Sequence, residues 1–335
     1  MVKIRNAALD IIRSVAAITV VVFHVLDSSA NNDPFVSEHT FLVVTAITET
    51  MKWHVPVFFM ITGYLWLDDG KECTYRKMLS NIRRFICVLF TIGFVYAVME
   101  RFFTERSISV SLLASSVMDV LSGNLWDHMW YVYSIIGVYL LLPVIKPFFL
   151  HSTVKTIGAF ISILFVFSLL SPTLQQTIGY EIPVKFPTSS AVFYVCTGGL
   201  IAKKKSNSRK SLSCCSILFC CSVAGVFMIK RFFFNFTDWL SLFSCISAIC
   251  LFITLSSIFS LTTESLYLRT FSDCTFGIYL FHPFFINLMI KALHIYPMRK
   301  YQLIAVPVAC VSIIALSFML TYILRRISWI KEYIL

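Results

Sequence analysis

Apolar residues come in long blocks, separated by short charged or proline-containing breaks. About 20 residues at 1.5 Å rise cover a hydrocarbon layer of roughly 30 Å, and the blocks approach that length. They fall at 6–26, 53–67, 85–103, 129–149, 154–170, 189–202, 212–229, 239–259, 271–290 and 303–324. The pattern predicts an all-α integral membrane protein of about ten transmembrane helices, organised as one membrane domain over 1–335. Between the first two blocks, 41–51 reads as a short helix lying on or dipping into the outer face. No internal repeat, long linker or low-complexity tract interrupts the series.

The charged breaks give the series a direction. Lys3 and Arg5, then Lys71, Arg76, Lys77, Arg83 and Arg84, then Lys146 and Lys155, then Lys203, Lys204, Lys205, Arg209 and Lys210, and finally Arg325, Arg326 and Lys331 fall on one side of a ten-span path. Basic loops stay in the cytoplasm, so both termini are expected there. The opposite connections are poorer in Lys and Arg: 27–40 holds Asp33 and Glu38, and 172–188 holds Lys185 against Glu181. Lys230 with Arg231 and Arg299 with Lys300 break the pattern.

Composition changes this picture little. Hydrophobic residues make up 58% and charged residues 13% of the chain, where soluble domains carry roughly 25% charged residues. A soluble globular class is excluded. The net charge of +11 lies in short loops, where it orients the chain rather than binding nucleic acid. Most of the eleven cysteines lie inside apolar blocks, and there is no Cys-x-x-Cys spacing. They read as small packing residues, with neither a disulfide framework nor a metal site expected.

The first block carries the polar residues that need explaining. It contains Asp10, Arg13 and His24, and each charge near a helix centre costs on the order of 2.5–3.5 kcal/mol on insertion scales. Eleven steps of 100° from Arg13 to His24 make about three turns plus 20°, so the three residues share one inward-looking face. An interfacial Asp10–Arg13 pair accounts for two of them and leaves His24, about 16 Å farther along, unexplained. A cleaved signal peptide is excluded by the multispanning remainder into which this segment fits. Further polar groups stand at His54, His128, Trp130, Tyr131, Tyr279 and His282, the last two three residues apart and so on one face.

Four stretches carry a resemblance. They are Arg13-x10-His24 after Leu9-Asp10, VPVFFMITGYL at 55–65, HMWYVYSIIGVYLLLP at 128–143 and FGIYLFH at 276–282. In this order they resemble the integral membrane acyltransferase-3 family over nearly the full chain. The resemblance implies about ten spans and transfer of acetyl or another short acyl group from acyl-CoA to a hydroxyl on a glycan, lipid or antibiotic. It further implies the stand-alone form, with no fused extracytoplasmic hydrolase-like domain, in the inner membrane of a bacterium. An Arg-x-x-Arg pair common in the family after the second span is absent; Arg76, Lys77, Arg83 and Arg84 stand there at other spacings.

The chemistry of the residues fits that role. Attack of a hydroxyl on a thioester needs a base, and His24 is the candidate, with Arg13 and His282 beside it in the catalytic set. Arg13, Arg76, Lys77, Arg83 and Arg84 are the candidate contacts for the phosphates of an acyl-CoA, a co-substrate rather than a tightly held cofactor. Asp10, His128, Trp130, Tyr131 and Tyr279 are the candidate contacts for the acceptor, expected to be a cell-envelope glycan or lipid-linked saccharide. Membrane lipids are the other expected partner. Two readings from other classes compete: a transporter or flippase, which buried Asp, Arg and His also suit, and a polymerase or ligase of lipid-linked sugars. The first lacks matching broken helices in two halves, the second a large external loop.

Overall fold

The structure is a computed structural model describing residues 5–335 apart from 69–71, 181, 183, 185, 187, 205–208, 233–239, 261 and 264, and apart from the side chains of 178, 209–211 and 229–232. Lys3, Lys71, Glu181, Lys185 and Lys205, all used to orient the chain, lie outside the described residues, as do the side chains of Arg209, Lys210, Lys230 and Arg231. Among the described residues every regular element is helical. Seven helical stretches among these described residues are long and apolar enough to cross a membrane: 7–32, 75–105, 127–151, 154–177, 240–258, 266–292 and 302–324. The blocks at 53–67 and 189–202 are helical but form only 13- and 15-residue helices, short of the ~20 residues a full crossing takes.

The chain folds into two compact units, Met1–Asp68 with Ser152–Tyr322, and Asp69–His151 with Ile323–Leu335. The first unit opens with α1 (Ala7–Asn32), capped by Asn6, whose side chain accepts from the Leu9 amide at 3.3 Å. The expected connection at 27–40 is therefore partly helix. Asn31 and Asn32 bond back to the carbonyls of Asp27 and Ser28 at 2.9 and 2.8 Å, and α1 stops only at Asp33, which precedes Pro34 and is extended. The short helix expected at 41–51 is α2 (Glu38–Met51), begun by Ser37, whose hydroxyl accepts from the Thr40 amide.

Next come α3 (His54–Trp66), α8 (Val154–Phe165), α9 (Ser171–Ile178), α10 (Ser190–Lys204), α11 (Arg209–Phe232), α12 (Leu240–Ile258), α13 (Leu266–Asn287) and α14 (Gln302–Leu324). Helix α1 packs on α2, α3 and α13, and α3 packs on α10 and α12. The α3–α10 contact is backbone against backbone: a methyl on Gly63 would collide with the Val195 carbonyl, and one on Gly198 with the Met60 carbonyl. Small residues allow such approach in membranes, where packing rather than water exclusion drives association.

Helix α14 shows what solvent this unit expects. Ala309, Cys310, Ile313, Ser317 and Thr321 form its buried stripe, while Ile304, Val308, Val311, Met319 and Ile323 are exposed. An exposed apolar face of that extent suits lipid. A π-helical turn at Leu288–Ala292 prolongs α13, and the stretch after it returns Arg299 to the end of α1. There Arg299 lies 3.9 Å from buried Asp33 and over the rings of Phe35 and Tyr296, at 4.3 and 5.2 Å.

The second unit contains α4 (Tyr75–Val88), α5 (Phe94–Glu105), α6 (Val110–Ser122), α7 (Trp130–His151) and α15 (Ser328–Tyr333). Helices α4 and α5 are continuous through a π turn at Leu89–Gly93, which corrects one expectation. Arg76, Lys77, Arg83 and Arg84 stand on a helix, not in a loop. Met78, Ile82 and Val88 line its buried face while Arg76, Lys77 and Arg83 are exposed, an amphipathic pattern that a search for uniformly apolar blocks passes over. Helix α6 also interrupts an expected connection. Ser109 caps its start by accepting from Leu112, and Gly123 ends it at φ +80°, where a side chain would be strained.

Candidate functional site

The α1–α13 pair carries ionisable residues at two levels. At the first level Asp10, 4% exposed, accepts from Arg5 Nε at 2.5 Å, from Arg5 Nη2 at 2.9 Å and from Ser272 Oγ at 2.7 Å. Arg13 lies 3.9 Å from the same carboxylate, and Arg5 Nη1 donates to Asp273 at 2.7 Å. Burial pulls the Arg5 guanidinium toward deprotonation, but the hydrogen bonds and charges of Asp10 and Asp273 outweigh it and hold its pKa above the ordinary value. Two arginines and two aspartates make a neutral clasp. Both Asp10 oxygens are engaged in it, so the residue expected to bind substrate ties α1 to α13.

The second level lies fourteen residues along α1, about 21 Å from Asp10. Here the ring of His24 stands 5.1 Å from that of His282, tilted by 39°. Since Asp10 meets Ser272 and His24 meets His282, the two helices run parallel. His282 is fully buried, and its Nδ1 lies 3.1 Å from the Ile278 carbonyl one turn earlier. A carbonyl only accepts, so this nitrogen carries the hydrogen and Nε2 holds the lone pair of the neutral ring. Pro283 follows at once and leaves the Tyr279 carbonyl without its helical donor, loosening the turn that carries His282. Tyr279 is buried beside it, ring centroids 6.2 Å apart.

A third imidazole joins these two. His54, 5% exposed, begins α3 and directs Nδ1 at 2.6 Å to the carbonyl of Met51, the last residue of α2. Phe23 lies between the histidines, 5.0 Å from His24 edge-on and 5.1 Å from His54. The spacing rule that found His24 could not find His54, because it starts a short helix and its neighbours are set by tertiary packing. Its one signal was a histidine beside Val55-Pro56, at the start of a helix. Ser272, which donates to Asp10, and Asp273, which accepts from Arg5, were missed for the same reason: only the fold brings residues more than 260 positions apart into contact.

The remaining candidates belong to the second unit. His128 is buried, 5.8 Å from the ring of Tyr96, which stacks on Trp126 at 4.2 Å. Trp130 is 53% exposed and meets Tyr131 edge-on at 6.5 Å. Lys77 pairs with Glu72 at 2.7 Å. Arg83 lies over the Tyr333 ring at 4.8 Å, and Arg84 donates to the Ile334 carbonyl at 3.5 Å. Arg101 grips Asp119 at 2.5 and 3.0 Å, and this hydrogen bonding holds the Asp119 carboxyl below its ordinary pKa against the opposing effect of desolvation.

Imidazoles gathered at one level of a parallel helix pair are groups that can take up a proton near neutral pH. Residues 6–325 match the acyltransferase-3 family model, described as an acyltransferase domain. The chain belongs to this family. It is also similar to an amino-acid racemase of Enterococcus faecalis, with 24% identity over 357 residues, covering 98% of this chain and 48% of that protein. The chain thus spans about half the length of that curated relative. No solved structure matches it. The family match identifies the chain as a domain of the acyltransferase-3 family, and its apolar helices fit a multi-pass membrane protein.

Proposed function

We propose that the protein moves an acetyl or other short acyl group from acyl-CoA to a hydroxyl of a cell-envelope glycan or lipid-linked saccharide, in the inner membrane of a bacterium. The observation that carries this reading is the His24–His282 pair, 5.1 Å between rings, inside a family acyltransferase. As the acceptor oxygen attacks the thioester carbonyl, its proton passes to His24. The carbon–sulfur bond then breaks, and the proton returns to the departing thiolate. His282, held by Ile278 with Nε2 as its acceptor nitrogen, and Tyr279 orient the acceptor hydroxyl.

Arg13 lies about 16 Å from His24 along α1, a separation an extended pantetheine arm bridges when a CoA phosphate sits at the arginine. Arg76, Lys77, Arg83 and Arg84 are the second group of cations offered to those phosphates, and His128, Trp130 and Tyr131 the further contacts for the acceptor. The donor then enters from the side of the Asp10 clasp, the cytoplasmic one if Arg5, Arg325 and Arg326 stay inside.

Purified protein given radiolabelled acetyl-CoA and candidate glycans should transfer label to an alkali-labile ester, dependent on His24. Failure across short-chain acyl-CoA donors, with folded protein and a broad glycan panel, overturns the proposal. Reporter fusions after Lys204 and at Leu335 test the sidedness; a signal from outside the cytoplasm at either position reverses it.

A further inference from the structure

Arg299 and Lys300 break the charge pattern of the chain, and the proposed reaction gives them no task. The segment that carries them is pinned at the end of α1 remote from the Asp10 clasp. His294 and Tyr301 bracket it at φ 53° and 52°, in the left-handed region that disfavours side chains. Between them Met298, 3% exposed, packs in one cluster with Ala30 of α1 and Val44 of α2. This docking sets the Arg299 guanidinium against two rings, 4.3 Å from Phe35 and 5.2 Å from Tyr296. Beside it lies Asp33, whose side chain is fully buried. One carboxylate oxygen accepts from the Phe35 amide at 3.0 Å and stands 3.9 Å from Arg299 Nε, beyond hydrogen-bond range. The other, Oδ2, is buried and meets no hydrogen-bond donor among the described residues, a costly state for a carboxylate. Phe35 is 73% exposed, so most of its ring is open.

An open aromatic face, a carboxylate oxygen lacking a donor and a guanidinium with donors to spare are together complementary to one class of ligand. A sugar ring offers a C–H face to the aromatic ring, hydroxyl donors to the carboxylate and oxygen acceptors to the guanidinium. We infer that Asp33, Phe35 and Arg299 form a saccharide-binding subsite, which holds the acceptor at a sugar unit other than the one that is acylated. Phe35 carries the ring, Asp33 Oδ2 accepts from a hydroxyl and Arg299 donates to a neighbouring oxygen. Arg299 swings aside to admit the hydroxyl, which its long, partly exposed contact with Asp33 permits. Asp33 lies nine residues beyond His24, about 14 Å along α1 and farther than one sugar ring reaches. Tyr296 joins the two places, because it packs on the cluster of Val21 and Val25 of α1 and Ile278 of α13, the helices that bring His24 to His282. The inference rests on the proposed saccharide acceptor and on a donor entering from the clasp end, which leaves this end to the acceptor. A contact that only fastened the segment to α1 would govern stability and be indifferent to acceptor length.

The test uses the full chain in detergent, with tetrasaccharides of the candidate glycans as long acceptors and methyl glycosides of their single sugars as short ones. Phe35→Ala and Arg299→Gln should each raise the KM for the tetrasaccharide about tenfold while the KM for acetyl-CoA stays as in wild type. The preference for the tetrasaccharide over the methyl glycoside should fall by the same factor, and Phe35→Tyr, which keeps the aromatic face, should restore it within a few-fold. Binding is read apart from transfer: saturation-transfer NMR should show tetrasaccharide protons in contact with wild-type protein and lose most of that signal with Phe35→Ala. Should Arg299→Gln fail to fold, the exposed position of Phe35 keeps the test intact. An unchanged preference in folded Phe35→Ala overturns the inference, and equal losses on long and short acceptors overturn it in favour of a fastening role. If wild-type protein transfers no label, the proposed reaction fails while the NMR signal still judges the subsite, and no signal with any tetrasaccharide overturns the subsite itself.

Discussion

The two levels of the α1–α13 pair use ionisable residues in opposite ways. At the Asp10 level the groups are paired, two guanidiniums against two carboxylates with a hydroxyl added. At the His24 level the groups are imidazoles packed ring to ring with Phe23 and Tyr279, each of His54 and His282 spending its hydrogen on a backbone carbonyl. Such a cluster holds helices in register, and Arg13 is the one member of it that the proposed reaction also uses. Neutral rings with lone pairs have little to give stability but can take a proton. The same pair of helices thus separates fastening from chemistry along its length.

The comparison breaks most visibly at His24. His24→Ala should lower the transfer rate by about 10² to 10⁴, on the order of 3–5 kcal/mol of barrier, with detergent melting close to wild type. A loss below about tenfold, measured on label transfer, would remove His24 from the base role. Asp10→Ala should do the converse. Breaking a buried pair costs about 3–5 kcal/mol, and because Arg5 keeps a quarter of its side chain exposed the loss should lie near or below the lower edge of that range. Yield and melting temperature should fall together, while the rate per folded molecule changes less than it does for His24. A rate loss without a melting change would make Asp10 a substrate contact after all.

Sharpening the comparison takes a change that touches neither level. Gly198→Ala forces a methyl onto the Met60 carbonyl, so α3 and α10 must part, at a cost of about 1–3 kcal/mol measured by thermal or denaturant unfolding. The smallest effect belongs to the second unit. Asp119 has a depressed pKa in the folded state, so its clasp with Arg101 contributes stability above the ordinary carboxylate range that is lost as pH falls through the folded value. Asp119→Asn should flatten the acid side of the melting-temperature profile and leave it unchanged near neutrality relative to its own plateau. An unaltered acid slope would assign that slope to other carboxylates.

Helical class and the His24 position were legible because both depend on periods along one chain: block length for the first, 100° per residue for the second. The end of α1 was misread because polar Asp27–Asn32 looks like a loop, whereas Asn31 and Asn32 bond to carbonyls within the helix. The helix of Arg76 to Arg84 was misread because its charges dilute the apolar signal. For α6 the signals were present in Ser109 and Gly123, but no uniformly apolar block drew attention to them. The partners of Asp10 and the place of His54 could not be read at all. They are consequences of which helices touch, and nothing in the local pattern of Ser272, Asp273 or His54 specifies that.

The π turn at Leu288–Ala292 has a further consequence. Such a turn is an α-helix with one surplus residue, so the chain beyond Ala292 leaves about 100° away from where an uninterrupted α13 would send it. Beyond the turn Arg299 meets Asp33 and Phe35, while His282 stands before it on the same helix. An insertion or deletion inside 288–292 would therefore re-aim the segment that carries Arg299 while leaving Tyr279 and His282, earlier on the helix, in register.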